Sequence, residues 1–425
     1  MSSTKVGADA ARDAAETPEV AADGSAAAYR SPFLGGITIG WDTLLTTLPI
    51  YIGLIIIWLY FDSQTAGKFI GARNLSEMAQ EYSYEAVLAI GVVFVLLLGE
   101  IDLSLGYLTL LGVAILGSLS GLQHWSSGAA ILATVIACAL CGLAQGLLVA
   151  WVRMPSFVVT LGGFLIFEGI AYHILAGSTI AVYDPFIDSL GTYYLPNALS
   201  WVLVAAVVAL YLAASVMRQR ARARAGLPQT PLVRTVTVAA ALAVAAAIIV
   251  ATMNSYRGVP IVLAILFAFA ALMSLFATRL PFGRHIYAVG GNLEAARRAG
   301  INTTAVKWIV FGISGMFAGL AAVLLVGQTA AASSTTAGPD LLLDVISIAV
   351  IGGVSLTGGK GSVRAVLLGG LVIASLDSGL NLMNTDPYYV YVIKGAILLA
   401  AIAIDIVGKR WDELPLSRLR LRSGG

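Results

Sequence analysis

Apolar residues in this chain come in long, nearly uninterrupted blocks. They run over 43–61, 84–99, 103–122, 129–151, 156–176, 198–217, 235–253, 259–278, 307–327, 343–357, 363–383 and 388–407. A helix needs about 20 mostly apolar residues to cross a bilayer. The pattern therefore predicts an all-α protein, a polytopic integral membrane helix bundle of about twelve transmembrane helices. The blocks 84–99 and 343–357 are the shortest. Tyr388, Tyr389 and Tyr391 open the last block, a position suited to interfacial anchoring.

Composition agrees with the pattern. Of 425 residues, 59% are hydrophobic and 11% charged, against roughly 25% charged in soluble domains. No soluble core could hide that much apolar surface. Residues 1–30 are the exception: "SSTKVGADAARDAAETPEVAADG" is polar and alanine-rich and lacks the apolar centre of a signal peptide. It reads as a disordered cytoplasmic tail. Residues 31–408 form the expected transmembrane domain, and 409–425 a basic cytoplasmic tail. Cys138 and Cys141 form a C-x-x-C pair inside a membrane block, where packing is the expected role; there is no disulfide framework.

Basic residues orient the chain. Arg218, Arg220, Arg222, Arg224 and Arg234 share one connection. Arg279, Arg284, Arg297, Arg298 and Lys307 share another, and Lys409, Arg410, Arg418, Arg420 and Arg422 crowd the C-terminal tail. With twelve spans these three regions and the N-terminus lie on one side, which the positive-inside rule makes the cytoplasm. The opposite connections 177–197 and 328–342 hold no lysine or arginine; Lys68 and Arg73 are clear dissenters. Both termini are expected in the cytoplasm.

The cytoplasmic connection 279–307 carries "RLPFGRHIYAVGGNLEAARRAGINTTAVK". Gly290 and Gly291 are expected to break the chain. Asn292 is a good N-cap, and Leu293 to Ala299 are strong helix formers. Glu294 in the first turn and Arg297 and Arg298 in the last match the helix dipole, and Gly300 supplies a stop. The predicted two-turn helix is too short to be stable alone and must dock. Its own protein surface or lipid headgroups are one dock; a partner's groove is the other.

The segment "GGVSLTGGKGS", Gly352 to Ser362, has the glycines, lysine and hydroxyl of a phosphate-gripping loop without its G-x-x-x-x-G-K-[ST] spacing. The apolar run after it is not the polar, amphipathic helix of a soluble nucleotide-binding domain. Its glycines Gly358, Gly359 and Gly361, with Lys360, predict a tight turn at the membrane edge.

"YAVGGNLEAARRAGI" (287–301) resembles the cytoplasmic motif of the ribose/xylose-type permease subunits of bacterial ABC importers. "IAVIGGVSLTGGKGS" (348–362) resembles that family's second signature and "GEIDLSLG" (99–106) its first. The resemblance runs from about Asn74 to Asp405 with the motifs in family order. The additional sequence around 198–257 is similar to the longer xylose-type permeases. The resemblance implies the ABC importer permease fold, a bacterial plasma-membrane location, and a transport subunit that is not an enzyme. It would carry a monosaccharide such as xylose or ribose into the cytoplasm by alternating access. The implied partners are an ABC ATPase subunit, an extracytoplasmic sugar-binding protein, a second permease copy and membrane lipid, with no nucleic acid. The chain would need no cofactor of its own, since ATP is bound by the partner. Gly290, Gly291, Asn292, Glu294, Ala295, Ala296 and Gly300 would form the segment that couples to the ATPase. A branched-chain amino acid permease shares the broader fold and is the alternative; a proton-coupled secondary transporter is a more distant one.

Intramembrane polar residues are the remaining candidates, because they are expensive and seldom face lipid. Glu100, Asp102 and Ser104 either line the solute path near its cytoplasmic mouth or, for Asp102 and Ser104, cap the third helix. Glu168 lies mid-span; it lines the path, is protonated, or bonds a neighbouring helix such as the one bearing Gln145. Asp377 and Lys394 sit at comparable depth on adjacent blocks and are expected to form a structural ion pair. Asn381 and Asn384 suit hydroxyl recognition or a helix end. Gly99, Leu103, Ser104 and Gly106 align with Gly352, Leu356, Thr357 and Gly359 at constant offset, an internal echo of the kind transporter repeats leave. Gly142–Gly146 and Gly315–Gly319 form two G-x-x-x-G patterns suited to helix packing. His124, His173 and His285 have no metal spacing, and no catalytic constellation is evident. The acidic outer residues Asp184, Asp188 and Asp340 are expected to meet the binding protein.

Overall fold

A computed structural model describes residues 41–227 and 231–413. The tail expected over 1–30 and the basic tail from 414 onward lie outside the described residues. The chain runs α1 (Trp41–Gln64), α2 (Ala72–Leu97), α3 (Leu105–Leu116, continued by a π-helical segment Gly117–Leu122), α4 (Ser127–Ala150) and α5 (Ser156–Leu175). A two-residue strand β1 (Ile180–Ala181) then leads into α6 (Pro185–Thr192), α7 (Asn197–Arg224), α8 (Leu232–Asn254) and α9 (Ile261–Arg279). Two short helices follow, α10 (Pro281–Gly291) and α11 (Leu293–Arg298), before α12 (Thr303–Thr329). Strand β2 (Ala331–Ala332), α13 (Pro339–Ile351), α14 (Ala365–Leu382) and α15 (Pro387–Glu413) complete it.

Nine helices among the described residues are long and apolar enough to cross a membrane, and α1 and α15 add shorter apolar stretches. The expected block 343–357 differs. Its helix α13 ends at Ile351, because Gly352 caps it and Gly353 takes a left-handed φ of 94°. Thirteen residues span about 20 Å, so α13 covers only part of a ~30 Å hydrocarbon core and a turn over 352–364 completes the descent. The expected 84–99 block differs the other way, since α2 begins at Ala72 and buries residues from Leu75 onward. The fold is all-α apart from the β1–β2 ribbon, which pairs Ile180 with Ala332 in antiparallel register.

Helices α2 and α12 form the centre: 78% of the most apolar stretch of each is buried, against 11% for α7. In the absence of a hydrophobic drive between helices in lipid, close backbone approach and packing bring them together. The two G-x-x-x-G patterns face one another across α4 and α12. Gly142 lies back to back with Gly315, and Gly319 meets Cys138 and Val135. Cys138 is thus a packing residue whose thiol approaches the Leu108 carbonyl. Helices α7 and α8 form a hairpin on the periphery, touching α2 through Leu75, Met78, Val250 and Met253.

The ribbon end is built from two similar units. Helices α5 and α12 both finish on an alanine with left-handed φ, Ala176 at 49° and Ala330 at 50°. Each is followed by a strand of the ribbon and then a helix with proline in its first turn, Pro185 or Pro339. Asp184 caps α6, accepting from the Phe186 and Ile187 amides at 2.9 and 3.0 Å and from Ser127 Oγ at 2.7 Å. Within the connection 177–197, α6 therefore forms an ordered helix packed on α12.

Candidate functional site

At the opposite end, the 279–307 connection folds as two helices. Gly290 and Gly291 do not break the chain; α10 continues through both. The break falls at Asn292, whose extended backbone and side chain cap α11 by accepting from the Ala295 amide at 2.9 Å. Glu294 occupies the first turn and bonds Arg297 at 3.2 Å, while Gly300 ends the helix with φ 81°. Helix α11 rests on the protein through Ala296 and the half-buried Leu293. Asn292, Glu294, Ala295, Arg298 and Gly300 face outward.

Glycine at Gly290 serves close approach instead of flexibility. A Cβ there would sit on the Leu97 carbonyl and 2.8 Å from the Gly359 amide. Gly359, with φ 71°, lies against Gly291 and donates its amide to the Leu97 carbonyl at 2.9 Å. Gly358 adopts φ 84° and packs on Gly99 and the Gly290 carbonyl. Three segments far apart in sequence thus meet backbone to backbone: the end of α2 with Gly99, the end of α10, and the turn 355–361. The turn is closed by Ser355 N–H donating to the Lys360 carbonyl at 3.0 Å, with Lys360 itself and Arg364 exposed. Tyr287 adds a side-chain tie, its hydroxyl donating to the Gly361 carbonyl at 3.1 Å. Burial pushes the Tyr287 phenol above its ordinary value, with Arg364 opposing, so the hydroxyl keeps its proton as donor.

The segment 98–104 hangs from this junction. Glu100 pairs with Lys307 at the start of α12, both largely buried. Asp102 is 5% exposed; its Oδ1 accepts from the Ser104 amide at 2.9 Å and from Ser104 Oγ at 2.6 Å, while Oδ2 is buried without a partner. Burial raises the Asp102 carboxyl to about 6, the Ser104 bonds opposing. Neither Asp102 nor Ser104 caps α3, because Ser104 Oγ is engaged by Gln145 on α4, whose Nε2 donates at 3.0 Å. Thr160 on α5 accepts from the Leu103 amide at 3.1 Å. A cavity of about 290 Å³ opens beside α11, lined by Glu100, Arg153, Leu293, Arg297, Thr303 and Lys307.

Higher in the bundle the polar candidates separate. Glu168 on α5 is half-buried beside the Tyr107 hydroxyl and does not bond Gln145, which is spent on Ser104. Tyr107 stacks edge-on against Phe164 at 4.4 Å, and Tyr172, one turn past Glu168, is 44% exposed. Asn381 and Asn384 lie at the ribbon end of α14, where Asn384 takes a φ of 50° just past the helix. Helix α14 packs on α13 and α2, so these asparagines do not join Glu168. Lys394 Nζ lies 2.7 Å from Asp377 and 3.0 Å from Asp344. Asp344, Lys307, Glu85 and Tyr287 are contacts that the sequence pattern did not single out. Asp344 and Glu85 sat at the edges of the two shortest apolar blocks, whose helices begin earlier than their apolar runs.

The family model for the branched-chain amino acid transport system / permease component matches residues 74–402. The xylose transport system permease protein of Haemophilus influenzae is 36% identical over 371 residues, covering 85% of this chain and 97% of that protein. The xylose transport system permease protein of Escherichia coli is 35% identical, covering 89% and 96%. The ribose import permease protein of Escherichia coli is 30% identical, covering 81% and 88%. No solved structure matches.

Proposed function

The chain belongs to the branched-chain amino acid transport system permease component family, and from that premise we propose that it is the membrane-spanning subunit of an ABC importer for a monosaccharide of the xylose and ribose class. Similarity over most of the chain to xylose and ribose permeases favours a sugar over a branched-chain amino acid. In this reading ATP is bound and hydrolysed by a separate ATPase subunit, a sugar-binding protein docks at the ribbon end, and two copies of this chain line the path. The positively charged α10–α11 end faces the cytoplasm.

The observation that carries the proposal is the backbone junction of Gly290, Gly359 and Leu97. Helix α11 presents Glu294, Ala295 and Arg298 outward and continues directly from the end of α10, whose Gly290 and Gly291 pack on the end of α2 and the 355–361 turn. Gly291 and Asn292 set its angle, Ala296 seats it and Gly300 ends it. Force applied to α11 by a closing ATPase would enter the helix bundle at that point. A half-exposed carboxylate inside the membrane is too costly to face lipid, so the face of α5 bearing Glu168 and Tyr172 borders the solute path. There the carboxylate accepts from sugar hydroxyls and the ring offers an apolar face.

The test is reconstitution with an ATPase subunit and a sugar-binding protein in proteoliposomes. Labelled pentose uptake is expected to require ATP, and Glu294→Arg is expected to abolish stimulation of ATPase activity while leaving the purified chain folded. Uptake that proceeds without the ATPase subunit would overturn the proposal.

A further inference from the structure

Where α2, α13, α14 and α15 meet, the interior holds three carboxylates and one ammonium, well away from the α10–α11 end. One carboxylate oxygen from each of Glu85, Asp344 and Asp377 lies within 4.8 Å of the other two, and all three residues are buried. Lys394 bridges Asp344 and Asp377. Glu85 is 6% exposed; its Oε1 receives a long hydrogen bond of 3.4 Å from Tyr84, and its Oε2 is buried with no partner. The other titratable groups acting on the corner are Glu81, Tyr82 and Tyr84 on α2, Asp340 on α13 and Tyr391 on α15. None adds a positive charge, so among the described residues Lys394 is the one cation acting on it.

Fully ionised, this corner would place three negative charges against one positive charge in an apolar interior. Carboxylates sharing a site cannot all stay ionised, and an uncompensated buried charge is the costly case. We propose that the corner is a proton-binding site in which Glu85 holds the proton and Lys394 remains shared between Asp344 and Asp377. A metal cation fits less well. The ammonium already fills the gap between the two aspartates, and the surrounding helical backbone spends its carbonyls on its own ladder, leaving too few oxygens for a hard cation's shell. A carboxylic acid needs no such shell.

The proton has a route to water. Asp340 lies one turn before Asp344 on α13, and Tyr391 one turn before Lys394 on α15, so both pairs share a helix face. The Tyr391 hydroxyl donates to Asp340 at 2.9 Å in an exposed position. These groups form a polar ladder from the surface at the ribbon end down to Glu85.

Infrared spectroscopy of the full chain in lipid nanodiscs tests the proposal. At neutral pH the wild type is expected to show a protonated carboxylic acid carbonyl stretch that shifts in heavy water. The band is expected to vanish in Glu85→Gln and to persist in Glu168→Gln. A wild-type spectrum without such a band overturns the proposal whatever the variants do. So does an undiminished band in Glu85→Gln, or a band that sodium chloride abolishes at constant pH.

Discussion

The amide of Gly359 donates to the carbonyl of Leu97 at 2.9 Å, joining the turn after α13 to the last turn of α2. The bond is possible because Gly290 presents no side chain between them. The internal echo relating Gly99–Gly106 to Gly352–Gly359 therefore has a spatial counterpart, since each motif follows a helix descending to the same junction and precedes one leaving it.

Adding a methyl group at Gly290 forces the Leu97 carbonyl and the Gly359 amide apart. Overpacking of this kind costs about 1–3 kcal/mol. Gly290→Ala is expected to lower thermal stability by that amount and to uncouple ATP hydrolysis from uptake, read in proteoliposomes as ATPase activity that no longer responds to the binding protein. Gly291→Ala, at a position with open space for a Cβ, is the control expected to retain more coupling.

Glu100 and Lys307 form an ion pair with side chains 16% and 20% exposed. Removing one partner leaves a charge poorly solvated, so Glu100→Gln and Lys307→Met are each expected to destabilise by about 2 kcal/mol, below the ~3–5 kcal/mol of a fully buried pair. The double variant should recover part of that loss. A double-mutant cycle by thermal denaturation measures the coupling, and strictly additive losses would contradict it.

Asp102 gives a pH dependence with a definite sign. Its carboxyl titrates near 6 in the folded chain against 3.8 for an ordinary aspartate, so the folded state binds the proton more tightly than the unfolded one. Stability is then highest below the unfolded value and falls as pH rises from about 4 through about 6. Asp102→Asn keeps the acceptor for the Ser104 amide and removes the charge. It is expected to flatten that slope and to raise stability at neutral pH by on the order of 2 kcal/mol, measured as melting temperature against pH.

Asp184 holds α6 by accepting from two amides and Ser127, so its substitution acts on the fold of the ribbon end before it acts on any partner. Asp184→Ala is expected to cost about 1 kcal/mol as a lost N-cap. Protease cleavage within 177–197 should rise accordingly. Asp188, half-buried in the first turn of α6, probes binding-protein docking without removing that cap.

Glu168→Gln tests the proposed path without touching the junction. A hydrogen bond to a charged group contributes about 1.5–3 kcal/mol, so uptake is expected to fall about tenfold or more while ATPase stimulation is unchanged. Equal loss of both would place Glu168 outside the path.

Helix identity and the capped α11 were legible because their signals are local. Long apolar runs, an asparagine before helix formers and a glycine after them all act within a few residues. What was not legible depended on distance in the chain. Gly290 looked like a chain break because glycine reads alike whether it supplies a turn or a contact, and only the carbonyl of Leu97 distinguishes the two. Asp344 and Glu85 escaped notice because charged residues trimmed the apolar blocks that hydropathy marks. The helix bearing Gln145 was one of three alternatives for Glu168, but the partner of Gln145 was fixed by the course of the 98–104 segment, which nothing local encodes. The G-x-x-x-G patterns showed that helices would pack closely without showing which.

The mutual fit of Gly142 with Gly315 and of Gly319 with Cys138 has a mechanical meaning. With glycines at their closest approach, α4 and α12 pack nearly backbone to backbone, so sliding or rotating one past the other would bring main chain into collision and the pair should act as one strut. Helix α11 joins that strut through the short linker after Arg298, with Gly300 as its pivot. In the proposed function, a small push on α11 would tilt a rod that runs to the ribbon end, and the amplitude at the far side would be set by the length of α12.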